Sequence, residues 1–507
     1  MKKILSLLLA VLLVFSLCAC AKNNTPKVIT PADSFARGSG TEADPYIIST
    51  AGELLHLQLA VNEQGRKDYL SAHFRLAKDI DLGGNAWRPI GLTTDGEIWP
   101  FKGTFDGEGK KILNFTCSMP EEDVPFHHLG LFSDVRGTVK NLTVDRCTVS
   151  GTERSAVGAI AGNLQGGLLQ NCSVGKKTVI TGDAAGGLVG QCGAASVENC
   201  ANAASVTGLR YAGGIFAIWT VGAWRSVSGK FHMDNCSNSG SITSGRFVGG
   251  LTGRLSAECI GEITLNNCSN AGEIRLARSL DYEETMGIPA VGGIVGDICG
   301  MKKDLNIALL ACSNAGSVDA GGAADSDAGG LLGRGSCIGS LSLLSCSNTG
   351  EVKSNLTAGG LVGRATNNLY ETDVLPTLTV SACSNAGEVT AAVAGGLLGS
   401  LGEGGEALEA TFENCVNSAD VTVGFTGGGL IGGLGTGIPT RLAHCTCDGN
   451  VIAQEDVQAN SLTGYLCGLI GLVREAEPEL EGCSFTGKLE NHEDERYRTS
   501  ETYIFDP

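Results

Sequence analysis

Aromatic side chains make up only 5% of this 507-residue chain, proline contributes 12 residues, and Lys and Arg number 36 against 54 Asp and Glu. Few aromatics leave the core to aliphatic side chains, and scarce proline beside 74 glycines suits many tight corners. A net charge of −18 with no basic stripe excludes nucleic acid as a partner, because phosphate recognition needs clustered Lys and Arg. It also disfavours direct binding to an anionic membrane surface, and suits an exported protein kept soluble by its acidity. No Ser sits in G-x-S-x-G and no phosphate loop occurs. The N-terminal apolar run, residues 4–15, is too short to span a bilayer comfortably.

A two-part word recurs instead. Its first half is Gly359-Gly360-Leu361-Val362-Gly363, with copies starting at Gly186, Gly249, Gly292, Gly329, Gly395 and Gly428. Its second half is Ala382-Cys383-Ser384-Asn385-Ala386-Gly387, with copies around Cys200, Cys236, Cys268, Cys312, Cys346 and Cys415. The spacing varies too widely for a helical array of fixed unit length, and the pieces are short apolar runs bounded by Gly or Asn, the signature of strands joined by turns. Such strands bury their apolar side only by stacking unit on unit, with equivalent strands parallel. The predicted fold is therefore all-β: a single-stranded parallel β-helix with an N-terminal capping helix. Leu361 and its copies should point inward, Gly should serve corners of positive φ or close approach, and the Asn and Ser beside each Cys should build the next corner. A dozen coils rising about 4.8 Å each would make a rod about 60 Å long.

In chain order, Lys2-Lys3 and the apolar run read as a secretion signal, residues 1–19, ending in Leu17-Cys18-Ala19-Cys20. That ending resembles a bacterial lipobox and implies lipid attachment at Cys20. Residues 20–40 are expected to be a flexible tether. Residues 41–128 should hold the N-terminal cap and first coils, with a helix over Ala51–Asn62 capped by Ser49 or Thr50 and residues 74–82 alternating as one strand. Asp79, Asp81 and Asp106 lie singly beside Gly turns, so corner hydrogen bonding is expected of them in place of a cation site. Residues 129–489 form the repeat body and residues 490–507 a charged tail. Trp219 and Trp224, near Tyr211, are the candidate ligand-binding residues, since aromatics of a loop can stack on sugar faces or anchor a protein partner. The competing reading packs these rings into the solenoid. Residues 278–289 and 366–376 read as surface loops.

Eleven of the 20 cysteines, from Cys147 and Cys172 to Cys445 and Cys483, occupy the second half of the word. Repeated once per coil, they should form an internal ladder of mostly reduced thiols. Cys445-Thr446-Cys447 lacks the second ligand pair of a structural zinc site, and no metal or cofactor is expected. The recurring Asn-Cys-Ser matches a glycosylation acceptor, but its repetition suits the corner it builds.

The first half of the word resembles the GLUG motif of bacterial surface proteins, also found beside the catalytic domain of IgA-specific metallopeptidases. No HExxH occurs in this chain, so their catalysis is not implied. The resemblance implies a cell-surface module whose partners vary from protein to protein; together with the lipobox and the rod, the expected role is a membrane-tethered, extracytoplasmic binding or structural scaffold, with a glycan or a host or envelope protein as partner. The alternative is a β-helical carbohydrate-active enzyme, a polysaccharide lyase or glycosidase. That would need acids and bases along one face, and no Asp-rich set joined to Arg or Lys stands out at matching repeat positions. A non-enzyme is therefore expected.

Overall fold

The computed structural model describes residues 28–93, 95–118, 127–220, 229–257, 261–277, 288–300, 305–323, 325–336, 339–366, 376–402, 408–454, 464–490 and 497–506. One chain winds into a parallel β-helix. Its most regular face is a twelve-stranded parallel sheet running from Phe132–Val135 to Ile504–Asp506, each strand pairing with its counterpart one coil away. The remaining strands stack in the same way on the other faces.

At the start, helix α1 (Ala51–Asn62) is capped by Thr50, whose hydroxyl accepts from the Glu53 amide while the Glu53 carboxylate accepts from the Thr50 N–H. This reciprocal pair fixes the helix start. Leu54, Leu57, Ala60 and Val61 enter the main core, and Asn62 accepts from the Gly91 amide and donates to the Pro89 carbonyl, tying the helix to the first coils. The helix thus covers core and strand edges that would otherwise lie open.

Three expectations change here. Residues 28–40 are docked on the cap: the Phe35 ring lies 4.7 Å from Tyr46 and packs against His56, Tyr69 and Phe74. Residues 74–82 form two strands, His73–Leu76 and Ile80–Ala86, because the chain turns a corner where the Asp79 carboxylate accepts from the Lys111 amide of the next coil. Residues 497–506 add the strands Tyr497–Ser500 and Ile504–Asp506 in register with the preceding coil, so the solenoid continues into the expected tail. The signal segment and Cys20 lie outside the described residues, as do 278–287 and 367–375.

The repeated word is explained by what its residues touch. Leu361 and its copies Leu188, Leu251, Ile294, Leu331, Leu397 and Leu430 are fully buried. The residue before each ladder cysteine adopts the left-handed conformation, as at Asn171, Asn199, Asn235, Asn267 and Asn414 with φ between 51° and 54°. Asn is the side chain that accepts this corner most readily.

The second asparagine of the word is not a corner residue. Asn202, Asn238, Asn270, Asn314, Asn348, Asn385 and Asn417 are buried and stack into an internal amide ladder. Asn348 shows the pattern: its Nδ2 donates to Asn385 Oδ1 at 2.8 Å and to the Gly350 carbonyl at 2.8 Å, while its Oδ1 accepts from Asn314 Nδ2 at 2.8 Å and from the Gly350 amide at 3.2 Å. Two donors and two acceptor sites are thereby satisfied without water. The ladder ends where Cys447 replaces asparagine and Asn417 Nδ2 meets its Sγ at 3.6 Å. The second Gly of each Gly-Gly pair lies against this ladder. A Cβ at Gly360 would collide with the Asn385 amide and the Gly396 carbonyl, so close approach, not positive φ, requires glycine there.

The cysteines form the expected second ladder, as free thiols. Cys346 Sγ donates to the carbonyls of Leu309 and Leu344 and accepts from the Cys312 amide. Hydrogen bonding to the neighbouring Cys312 sulfur, which favours the protonated form, together with burial, pushes the Cys346 thiol up to about 12 from its ordinary 9.0. Cys383 and Cys415 are raised to about 12 in the same way, by Cys346 and Cys383 respectively.

Two expected outcomes follow from the ladders. Asn348→Ala strands the Gly350 backbone groups and the amides of Asn314 and Asn385 in a dry interior, and should cost about 3 kcal/mol in denaturant unfolding. An effect below about 0.5 kcal/mol would contradict the ladder. Because the folded thiols hold their protons above the pH at which unfolded thiols lose them, stability is fully present below pH 9.0 and lost between there and about 12. Melting temperature followed from pH 7 to 11 should stay level and then fall.

Candidate functional site

Each Gly-Gly-Leu corner is flanked by two outward strand positions seven residues apart, and stacking turns these into two columns facing each other across a seam. One column runs Tyr211, Phe247, Ala290, Asp327, Thr357. The other runs Ile218, Arg254, Asp297, Arg334, Arg364. The glycines bring the two strands so close that side chains from both columns interdigitate, which forms a second, smaller apolar cluster of Ala184, Tyr211, Ala217, Phe247 and Ala290 outside the main core.

Charge is concentrated around it. Asp297 is fully buried and held between two guanidiniums: Arg334 Nε donates to its Oδ1 at 2.9 Å, and Arg254 Nε lies 3.0 Å from its Oδ2 as a charge contact without hydrogen-bond alignment. Arg364 Nε donates to Asp327 at 2.9 Å and its Nη2 to the Thr357 hydroxyl at 2.7 Å. The Arg254, Arg246 and Arg334 guanidinium carbons lie 4.8, 5.3 and 5.6 Å from the centre of the Phe247 ring, within cation–π range. Burial first, then the like charges of Arg254 and Arg334, pull the Arg246 guanidinium below its ordinary value. Arg254 is instead raised: burial is the largest influence and lowers it, but Asp297, Cys299 and Tyr211 together outweigh that. At the upstream end, Arg210 forms a two-pronged ion pair with Asp183.

Tyr211 lies within this seam. Its ring is 8% exposed and stacks on Phe247 at 5.8 Å and 19°, so it supports the seam from inside. Trp219 belongs to the strand Phe216–Thr220 and pairs in register with Cys192 and Leu255. Trp224 lies outside the described residues. Asp81 and Asp106 act at corners: Asp81 accepts from the Gly83 amide and Asn114, and Asp106 from the Glu108 amide and Asn141. Among the described residues no group of three His, Cys, Asp or Glu could hold a metal ion.

No Asp-rich set joined to Arg or Lys was expected at matching repeat positions, and the structure shows single Asp residues, Asp297 and Asp327, paired with arginines there. Arg254, Asp297, Arg334 and Arg364 occupy one position, immediately after the closing Gly of the word, in four successive coils. Arg fills that position in three of these coils and Asp in the other. The usable signal was its fixed place after Gly253, Gly296, Gly333 and Gly363.

No protein-family model matches the chain. It is 35% identical over 155 residues to a protein of Evansella cellulosilytica named "Putative Gly-rich membrane protein", and 33% identical over 170 residues to Halomucin of Haloquadratum walsbyi. Those matches involve 28% and 32% of this chain and span only 16% and 2% of the two relatives. Among solved structures, a "putative immunoglobulin A1 protease" from Bacteroides ovatus aligns over 89% of this chain and 86% of its own, at 15% identity and a TM-score of 0.33.

Removing the carboxylate of Asp297 leaves two partly buried cations facing each other. Asp297→Ala should therefore destabilise the body by about 3–5 kcal/mol in chemical unfolding. Arg441→Ala, at an exposed pair with Glu481, should change it by less than about 1 kcal/mol.

Proposed function

We propose that this chain is a lipid-tethered, surface-displayed rod without catalytic activity, which binds extracellular partners along one edge. The observation that carries this reading is the uninterrupted solenoid: the frame repeats coil after coil, while the length of chain after each strand of the twelve-stranded sheet varies. Residues 221–228, 258–260, 301–304, 367–375 and 403–407 each follow such a strand in the sequence, and their number differs from coil to coil. A constant frame joined by connections of varying length suits display, since a connection can change without disturbing the stack.

Several features support the tether and the exterior location. The basic start, short apolar run and Ala19-Cys20 ending suit lipid attachment, one relative is named a membrane protein, and no described helix is long and apolar enough to cross a membrane. The non-catalytic reading is supported by the seam, where Asp297 and Asp327 are both buried and engaged by arginine. A general acid or base must instead reach its substrate.

Palmitate labelling of the full chain in cells should be lost in Cys20→Ala, and protease added to intact cells should degrade the unsubstituted protein. Labelling that persists in the variant, or protection of the body in intact cells, would contradict the reading. So would turnover of a polysaccharide by the purified chain.

A further inference from the structure

Residues 29–37 cross the cap helix as a strap, and the helix is built to receive them. Gly52 stands in the first turn of α1, where alanine would favour the helix by up to about 1 kcal/mol, yet a Cβ there would lie 2.6 Å from the Thr30 carbonyl. The Ala32 amide donates to the Gly52 carbonyl at 3.0 Å, and the Ala36 amide donates to Glu53 Oε1 at 3.1 Å. Glu53 Oε2 accepts from the Ser49 and Thr50 amides, so one buried carboxylate both closes the helix start and holds the strap. Farther along, the Arg37 carbonyl accepts from the Ile47 amide at 3.0 Å, and Phe35 packs among Tyr46, His56, Tyr69 and Phe74.

A docked strap shortens the link to Cys20. Residues 21–27 then span at most about 25 Å, whereas a chain free as far as Arg37 would reach about 60 Å. The helix that receives the strap closes the N-terminal end of the solenoid, so this is the end the link restrains. The connections between strands follow the same polarity. In the twelve-stranded sheet, Phe132–Val135, Ala161–Leu164 and Val189–Cys192 are each followed by no more than three residues before the next strand, whereas residues 221–228 follow Phe216–Thr220. The coils nearest the cap are bare, and lengthened connections begin farther out.

We propose that residues 29–37 are a clip that makes the capped end of the rod its membrane-facing end. A lipid surface is then the neighbour of α1, and the coils from Phe216 onward are left for partners in the surrounding medium. This rests on the reading of Cys20 as a lipid anchor, and adds which end faces the lipid and what holds it there.

The test is energy transfer from a fluorophore to vesicles carrying an acceptor lipid. The fluorophore sits on a short peptide tag inserted between Gln64 and Gly65, beside the cap, or between Thr436 and Gly437, in a late coil. The full chain is measured on phosphatidylcholine vesicles, both with its own anchor and with a hexahistidine in place of residues 1–20 on nickel-chelating lipid. Transfer should be strong from the cap position and weak from the late one. Phe35→Ala and Gly52→Leu should free the strap, so that trypsin cuts after Arg37 and transfer from the cap position falls severalfold, while the thermal melt of the body stays within a few degrees. Inserting about twenty Gly and Ser residues between Lys27 and Val28 should lower that transfer too, with Arg37 still protected. The proposal is overturned by equal transfer from the two positions, by variants that leave Arg37 protected, by equal cutting there in the unsubstituted chain, or by variants that are cut and keep full transfer. Vesicle binding lost in Cys20→Ala bears on the anchor, whereas the hexahistidine form tests the clip whether or not Cys20 carries lipid.

Discussion

A buried amide must find four hydrogen-bonding partners or destabilise the fold, and this solenoid meets that demand by stacking one asparagine per coil. From Asn202 to Asn385 each side chain bonds both to the next asparagine and to its own turn, so coils are locked in vertical register and each turn is closed by the same group that joins it to its neighbour. A slip of one coil by one residue would leave several polar groups unpaired in a dry interior. Apolar packing alone would tolerate such a slip more easily.

The constraint reaches into the rest of the repeat. The second Gly of each pair is required because the asparagine amide occupies the space a Cβ would need, which couples two halves of the word that are distant in sequence. A Cβ on the first Gly of each pair would meet the carbonyl three residues on, as at Gly329 with that of Leu332, so this Gly serves the tight turn between the two strands of the seam. Thiols fill the neighbouring corner, where a small group that donates to carbonyls fits and a larger one would not.

Much of this was legible from the repeat itself. Inward Leu positions, the thiol ladder, the cap helix and parallel stacking all follow from patterns that recur once per coil. The buried asparagines were not legible, because Asn267 and Asn270 flank Cys268 and read alike as corner residues. Only stacking separates the exposed left-handed one from the buried one. The docking of residues 28–40 escaped notice since Phe35 is a single ring in a polar stretch whose partners come from four other places in the chain. The seam was missed for a related reason: Arg254, Asp297, Arg334 and Arg364 complement one another across coils, whereas a search for repetition finds only sameness. Tyr211, a candidate ligand-binding residue with packing into the solenoid as the competing reading, is enclosed, because the glycine corner folds its strand against the next.

The most direct test of the amide ladder is hydrogen exchange of the asparagine side chains, observed by NMR on protein labelled with 15N in Asn alone. If the ladder holds the coils in register, a set of Nδ2 protons should resist exchange as long as the core backbone amides do, and should be lost together on global unfolding. Asparagine side chains that all exchange at the rate of exposed amides, while the backbone stays protected, would contradict it.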